Sequence, residues 1–331
     1  MTGGGRRYVV VGAGAVGGTI AGLLARAGRD VVAVARGPHL EALQAGGLDL
    51  RTPLGSWTVP LPAVGSVAEV GWRPGDVAVL AVKGQDTEAL LDDLVAHADP
   101  SLPVVCAQNG VANERRALRR FADVHGMCVM LPAVHLEPGV VAAFGDPAPG
   151  ILDLGRVPSG TDALDEEVAA DLAAAGFSSH PHPAILRAKH RKLVMNLANA
   201  VVALCGTDAL ATDAGGELLG AVAAEGEAVL AAAGVDVAST EEDAVRRGDV
   251  FRIGEVEGVD RGGGSTWQSL TRGQGTAEGD TLNGEIALLA RLHGVEAPLN
   301  VRLQQLVGRA AREGWRPGAV TPAEVLAARD A

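Results

Sequence analysis

Aromatic side chains are scarce in this chain: four Trp, four Phe and one Tyr among 331 residues. Its core must therefore be filled by Ala, Val and Leu, and its helices must pack closely. Cysteine is nearly as rare. Cys106, Cys128 and Cys205 lie far apart and make no CxxC pair. They supply neither a disulfide framework nor a zinc site, and they fit reduced thiols in a cytoplasm. The eight histidines contain no HxxxH or HExxH pair, and His180 and His182, flanking Pro181, read as a surface turn rather than as metal ligands. Positive charge is in deficit. With 28 Lys and Arg against 40 Asp and Glu, the net charge is −12 and no basic run occurs, which argues against a nucleic-acid or anionic-membrane partner. No uncharged apolar stretch approaches the ~18 residues of a membrane span. Residues 1–7 are polar and lead straight into a strand-like run, so no signal peptide is expected.

What is present is an alternation. Short β-branched runs at residues 8–11, 31–35, 77–82 and 104–107 are continuously apolar, as strands covered by helices on both faces are. Helical segments are expected between and after them at 15–27, 38–45, 87–96 and 112–121. Residues 48–59 read as a small hairpin, hairpin-like texture returns after residue 127 through 140–144 and 151–154, and a helix over 164–175 with a strand near Phe177 closes the half. Past Pro181-His182-Pro183 only helical periodicity is found, at 185–204, 217–233, 277–293, 299–313 and 322–329. The expected architecture is α/β: an N-terminal doubly wound sheet over residues 1–182 and a C-terminal all-helical domain over 183–331.

Gly12-Ala13-Gly14-Ala15-Val16-Gly17 follows the first strand and opens the first helix. Gly12 suits a tight turn, Gly14 a backbone approached by a pyrophosphate, and Gly17 close helix–strand packing, while the helix N-terminus offers free N–H groups. The pattern is that of a Rossmann dinucleotide site. Where an NAD site carries an acid at the end of its second strand, this chain has Val34-Ala35-Arg36; the arginine selects a 2′-phosphate and hence NADPH, or is simply a solvated surface residue. Two further strand ends, Ala81-Val82-Lys83 and Gln108-Asn109-Gly110, lie on the edge where such sheets bind ligands. Lys83 is then a phosphate or ribose contact and Asn109 a bridge between nicotinamide and substrate, or both are turn residues.

In the second half, Lys192, Asn196 and Asn199 fall at i, i+4 and i+7, one face of a helix that is otherwise apolar. They form a polar stripe facing a cleft, with a partly desolvated lysine suited to proton transfer, or a snorkelling lysine above core asparagines. Glu278 is expected on one helical face with Leu282, Ile286 and Leu289, as a dipole complement or as a ligand. The glycine-rich segment before it offers the hydroxyls of Ser265 and Thr266 to a substrate carboxylate from a flexible loop.

Taken in order, these residues resemble the ketopantoate reductase family. The resemblance rests on Gly12-x-Gly14-x-x-Gly17, Arg36, Ala81-Val82-Lys83, Gln108-Asn109-Gly110, Lys192-Leu193-x-x-Asn196, Ser265-Thr266-Trp267-Gln268, Thr276-x-Glu278-x-Asp280-x-Leu282-Asn283-Gly284 and His293-Gly294-Val295-x-x-Pro298-x-Asn300. It implies NADPH-dependent reduction of a 2-keto acid, 2-dehydropantoate above all, in pantothenate biosynthesis, by a cytoplasmic monomer or homodimer. It implies Lys192 as general acid, and Asn109, Asn196, Asn199, Ser265, Thr266 and Glu278 on the substrate. Gly12 to Gly17, Arg36, Lys83, Asn109, Ala133 and Glu278 are implied on the cofactor. The family's second substrate asparagine falls on Ala200 here, with Asn199 one residue earlier. A polar contact ahead of the serine falls on Gly262 or Gly263, and the aromatic before the lysine is His190. These departures leave open a relative that reduces another carbonyl or imine. A non-catalytic NADPH-binding regulator is the reading from another class.

Overall fold

The computed structural model describes residues 5–273 and 275–329; residues 1–4, on which part of the signal-peptide reading rests, lie outside them. The chain divides into two compact units. The first comprises Met1–Gln108, Asn113–Leu186 and Glu241–Arg261; the second comprises Asn109–Ala112, Arg187–Thr240 and Gly262–Ala331.

Among the described residues, the first unit holds every strand. In chain order these are β1 (Arg7–Val11), β2 (Asp30–Val34), β3 (Leu48–Thr52), β4 (Gly55–Val59), β5 (Ala63–Val64), β6 (Asp76–Leu80), β7 (Val104–Cys106), β8 (Val124–Met130), β9 (Ala133–Glu137), β10 (Val140–Ala143), β11 (Gly145–Pro147), β12 (Ile151–Arg156) and β13 (Phe251–Ile253). Seven of them form one sheet in the order β12-β8-β7-β6-β1-β2-β5. It is parallel except at β12, which runs antiparallel to β8. The doubly wound character follows from the period-two pattern of β1. Tyr8 and Val10 enter one core with Ile20, Leu24 and Leu172, while Val9 and Val11 enter another with Leu91, Leu94 and Phe121. Helices α1 (Ala15–Arg26) and α5 (Ala163–Ala174) thus cover one face, and α3 (Thr87–His97) and α4 (Ala112–Ala117) stand with the other; α2 (Gly37–Gly46) follows β2. A second sheet, β4-β3-β10-β9, contains the hairpin expected over residues 48–59.

The helices of the second half are α6 (Ile185–Asn196), α7 (Ala198–Cys205), α8 (Asp213–Ala232), α9 (Thr240–Arg247), α10 (Ser265–Thr271), α11 (Asn283–His293), α12 (Pro298–Glu313) and α13 (Pro322–Leu326). The core of the second unit is aliphatic, built on Leu193, Leu197, Val201, Leu218, Val222, Ile286, Leu303 and Val307. No helix among the described residues is long and apolar enough to cross a membrane.

Several expectations are corrected. A single cut at 182/183 does not describe the chain, because Glu241–Arg261 returns to the first unit and Asn109–Ala112 belongs to the second. The second half is not free of strands: β13 pairs antiparallel with β11, and Arg246 grips Asp153 through two guanidinium hydrogen bonds. The strand expected near Phe177 is reduced to isolated parallel bridges of Ser178 and Pro181 to β12. The helix expected over 277–293 is interrupted. Leu282 has φ −112° and ψ −92°, so Glu278 sits in a separate 3₁₀ turn, Glu278–Thr281, and shares no continuous helical face with Ile286 and Leu289. Ser265 and Thr266 are not in a loop but form the first turn of α10.

Candidate functional site

In the first unit the chain leaves β1 through Gly12, whose φ of +97° only glycine adopts readily. The N–H groups of Gly12 and Ala13 donate to the carbonyl of Val34 at 3.0 and 3.2 Å, drawing the loop across the end of β2. Space is as tight as the glycine spacing requires. A Cβ on Gly12 would stand 2.8 Å from Val82 N, and one on Gly17 would stand 2.1 Å from Gly12 O. At Gly14 a Cβ would meet nothing within 4 Å. Gly14 is also the N-cap of α1, and no side chain caps it, so Ala15 and Val16 begin a helix that offers its dipole to a ligand. A loop that is packed on its inner side and open at Gly14 fits a pyrophosphate.

The flanking residues sit at strand ends, as their sequence positions require. Arg36 follows β2, is exposed and is the N-cap of α2. Lys83, half-buried, caps the turn after β6. Gln108, after β7, donates through Nε2 to Val82 O at 2.7 Å and to Thr87 Oγ1 at 2.8 Å, fastening the ends of β6 and β7 together. Ala133 opens β9 in register with Ala143. Asp123, His125 and Asp162 also converge, but the Arg156 guanidinium bonds both carboxylates there and fills the cationic role itself. Buried His125 bonds Asp165 through Nδ1 at 2.7 Å and Asp123 through Nε2 at 3.1 Å. Burial, the largest single influence, pushes its pKa down; the bond to Asp165 and the charges of Asp165, Asp123 and Asp162 outweigh it and hold the pKa above the ordinary histidine value.

In the second unit the polar stripe holds its spacing across the junction of α6 and α7. Leu197 between them keeps helical dihedrals (φ −58°, ψ −32°), and its N–H donates to both Leu193 O and Val194 O. Lys192, Asn196 and Asn199 thus remain on one side. Asn196 is buried, and its Nδ2 donates to Asn109 Oδ1 at 3.2 Å, joining two residues 87 positions apart. The Asn109-Gly110 turn packs tightly, since a Cβ on Gly110 would stand 2.7 Å from the Thr281 carbonyl oxygen of the turn that carries buried Glu278. Asn199 reaches the start of α10, where a Cβ on Gly264 would lie 2.8 Å from Asn199 Oδ1. Next to it, the Ser265 hydroxyl is buried with no hydrogen-bond partner among the described residues. Such an oxygen costs stability unless a ligand satisfies it. Thr266 is buried beside it.

The structure also explains the departures. A Cβ on Gly262 or Gly263 would fall 2.6 or 2.4 Å from Trp267 side-chain atoms, so the indole leaves no room for a polar side chain there. Ala200 is packed in the core. Two features escaped the reading of site residues. Lys189, one turn ahead of Lys192, is an almost fully buried amine. Buried Asn283 and Asn300 form a chain with half-buried Glu225: Asn300 Nδ2 donates to Glu225 Oε1 at 2.8 Å, and Asn283 Nδ2 donates to Asn300 Oδ1 at 2.9 Å and to Leu197 O at 3.4 Å. Asn283 and Asn300 stood in the motifs of the resemblance but carried no role; the signal that could have found them is an amide amid apolar helix positions.

Two family models match the chain: ketopantoate reductase PanE/ApbA over residues 8–159, and the C-terminal domain of ketopantoate reductase PanE/ApbA over residues 184–311. A 2-dehydropantoate 2-reductase of Pyrococcus horikoshii is 30% identical over 312 residues, covering 91% of this chain and 96% of the relative. A crystal structure of a PanE/ApbA family ketopantoate reductase from Ralstonia eutropha JMP134 superposes with a TM-score of 0.79 at 28% identity, covering 93% of this chain and 99% of that one. D-mandelate dehydrogenase, solved with NADH and anilino(oxo)acetate, reaches a TM-score of 0.80 at 21% identity with the same coverage, a likeness of fold alone. With both halves matched by the family's models and a relative aligned over nine-tenths of its length, the chain belongs to the ketopantoate reductase family, oxidoreductases that act on a CH–OH group with a nicotinamide cofactor.

Proposed function

We infer that the protein reduces a 2-keto acid to the 2-hydroxy acid with NADPH, and that the keto acid is 2-dehydropantoate, giving pantoate. The observation that carries this reading is the cluster in the second unit: buried Asn196 bonded to Asn109, one helical turn from Lys192. In the first unit, the loop from Gly12 to Gly17 and Lys83 hold the dinucleotide, and Arg36 takes its 2′-phosphate in a bidentate fork. Ala133 contributes backbone to the same cofactor. When bound, the nicotinamide supplies the hydride. Lys192 holds a proton on Nζ and passes it to the carbonyl oxygen as negative charge develops there, and a cation at that point stabilises the transition state. Asn109 spans nicotinamide and substrate, a role its bond to Asn196 Nδ2 supports. Asn196, Asn199, Ser265 and Thr266 orient the substrate, and the unpartnered Ser265 hydroxyl is suited to a carboxylate oxygen. Glu278 contacts both cofactor and substrate.

One observation favours a second reading within the same chemistry. The Gly262–Gly263 pair presents no polar group where the family carries a substrate contact, Trp267 occupies the space beside it, and Ala200 turns into the aliphatic core. A 2-keto acid with an apolar group in place of the hydroxyl suits that surface. The test is NADPH oxidation with a panel of 2-keto acids. The highest kcat/KM on 2-dehydropantoate supports the first reading, preference for an apolar keto acid supports the second, and tight NADPH binding without turnover of any of them removes both.

A further inference from the structure

His39 lies on α2, three residues after Arg36, and its Nε2 stands 2.7 Å from the carbonyl oxygen of Ala13 in the glycine loop. Its Nδ1 lies 2.9 Å from the backbone N of Gly139 and 3.2 Å from His135 Nε2. The geometry decides the tautomer. A carbonyl only accepts and a backbone N–H only donates, so Nε2 carries the proton and Nδ1 is the acceptor. Gly139 and His135 therefore hold the ring neutral and aimed at Ala13.

That bond fixes the orientation of one peptide unit. The C=O of Ala13 and the N–H of Gly14 belong to the same planar trans peptide and point in opposite directions. A carbonyl fastened to His39 presents the Gly14 N–H on the side away from the ring. Room for the carbonyl comes from Gly18, where a Cβ would crowd it at 2.9 Å. We propose that His39 is a positioning residue for the dinucleotide: by holding the Ala13 carbonyl it presets the Gly14 N–H for the pyrophosphate. The proposal rests on the reading that the first unit binds NADPH, and it concerns the phosphate bridge and not the 2′-phosphate taken by Arg36.

The test is calorimetric binding of NADPH and of 2′-AMP, which lacks the pyrophosphate, to wild type, His39→Ala, His39→Gln and His39→Asn, with thermal melts of each. Gln can place an amide N–H where Nε2 stands; Asn reaches only as far as Nδ1. The expected result is a roughly tenfold weaker NADPH Kd for Ala and Asn, the scale of one hydrogen bond. Gln should recover to within about threefold, and 2′-AMP should bind all four alike. NADPH affinity unchanged in His39→Ala would overturn the proposal, as would Gln no better than Ala at matched melting temperatures, or parallel losses for 2′-AMP and NADPH. Failure of wild type to bind NADPH would instead sink the underlying reading.

Discussion

A methyl group added at Gly14 and one added at Gly17 should separate ligand binding from folding. At Gly17 the new Cβ would stand 2.1 Å from Gly12 O, against 3.4 Å for the start of ordinary contact, so α1 would have to retreat by about 1.3 Å. The opposing atom is backbone and cannot rotate away. Overpacking of this kind costs about 1–3 kcal/mol, and at the upper end lowers the melting temperature by on the order of 10 °C in a unit of this size. At Gly14 the Cβ meets nothing within 4 Å, and φ is −73°, open to any residue. The loss of a glycine N-cap and the gain from a stiffer unfolded chain are each below about 1 kcal/mol and oppose one another. Gly14→Ala should therefore melt within a few degrees of wild type, roughly. Under the proposed cofactor placement, the pyrophosphate is what its methyl would meet. Loss of one or two charge-assisted hydrogen bonds should weaken NADPH binding by roughly 10²-fold, or about 2.7 kcal/mol. Ligand-free thermal melts and NADPH titration of both variants check this. Wild-type NADPH affinity in Gly14→Ala would refute the placement of the phosphates, and a melting point as low as that of Gly17→Ala would refute the openness of the loop.

Lys192→Ala should lower kcat by roughly 10²-fold or more with little change in NADPH Kd, because the phosphate contacts are assigned to the first unit; near-normal turnover would leave it a structural lysine. Glu278→Ala should raise KM for substrate or cofactor as well as slow turnover, which steady-state kinetics separates from a pure loss in kcat. Arg36→Ala should weaken NADPH far more than NADH, and equal losses in the two binding titrations would remove the 2′-phosphate role. His125, whose pKa is raised in the fold, stabilises the protein fully below its unfolded value of about 6.5 and loses that contribution as pH rises through the raised value. Melting temperatures of wild type minus His125→Gln should accordingly shrink from mildly acid to alkaline pH; a difference that is flat or grows would reverse the assignment.

The strands that were legible from sequence are those whose burial comes from local pattern. β1, β2, β6 and β7 are dominated by Val, Leu and Ala, with a charged residue only at the first position of β1, β2 and β6, and nothing outside the segment is needed to read them. β8 is different. Val-His-Gly-Met-Cys-Val-Met contains a histidine and a glycine, yet every residue is buried, because β7 and β12 flank it and Asp165, 40 positions on, neutralises His125. β13 and α10 are illegible for the same reason. Phe251–Ile253 is a strand only because Gly145–Pro147 pairs with it, and Ser265–Thr271 starts a helix directly after three glycines, with Trp267 packed back on Gly262 and Gly263 and Asn199 on Gly264.

The site divides along the same line. The i, i+4, i+7 relation of Lys192, Asn196 and Asn199 is a local property of helical geometry and holds in the structure, whereas the bond from Asn196 to Asn109 is a tertiary fact. The most informative departure, an asparagine at 199 instead of 200, has a physical cause that extends beyond one position. A shift of one residue turns a side chain by about 100° around a helix. Position 200 then points into the aliphatic core with Val201 and Leu204, and position 199 carries the amide to the first turn of α10. The amide fits there only because residue 264 has no Cβ, and residues 262 and 263 lack theirs because Trp267 fills the space. Asn199, Gly264, Trp267 and the two preceding glycines are thus one packing solution. Restoring the family's arrangement by Ala200→Asn alone would bury an amide among aliphatic side chains, at a cost of about 1–3 kcal/mol, without delivering it to a ligand. If the proposed substrate site is right, a change of substrate preference in this chain should therefore require Trp267 and the glycines to be replaced together with the asparagine.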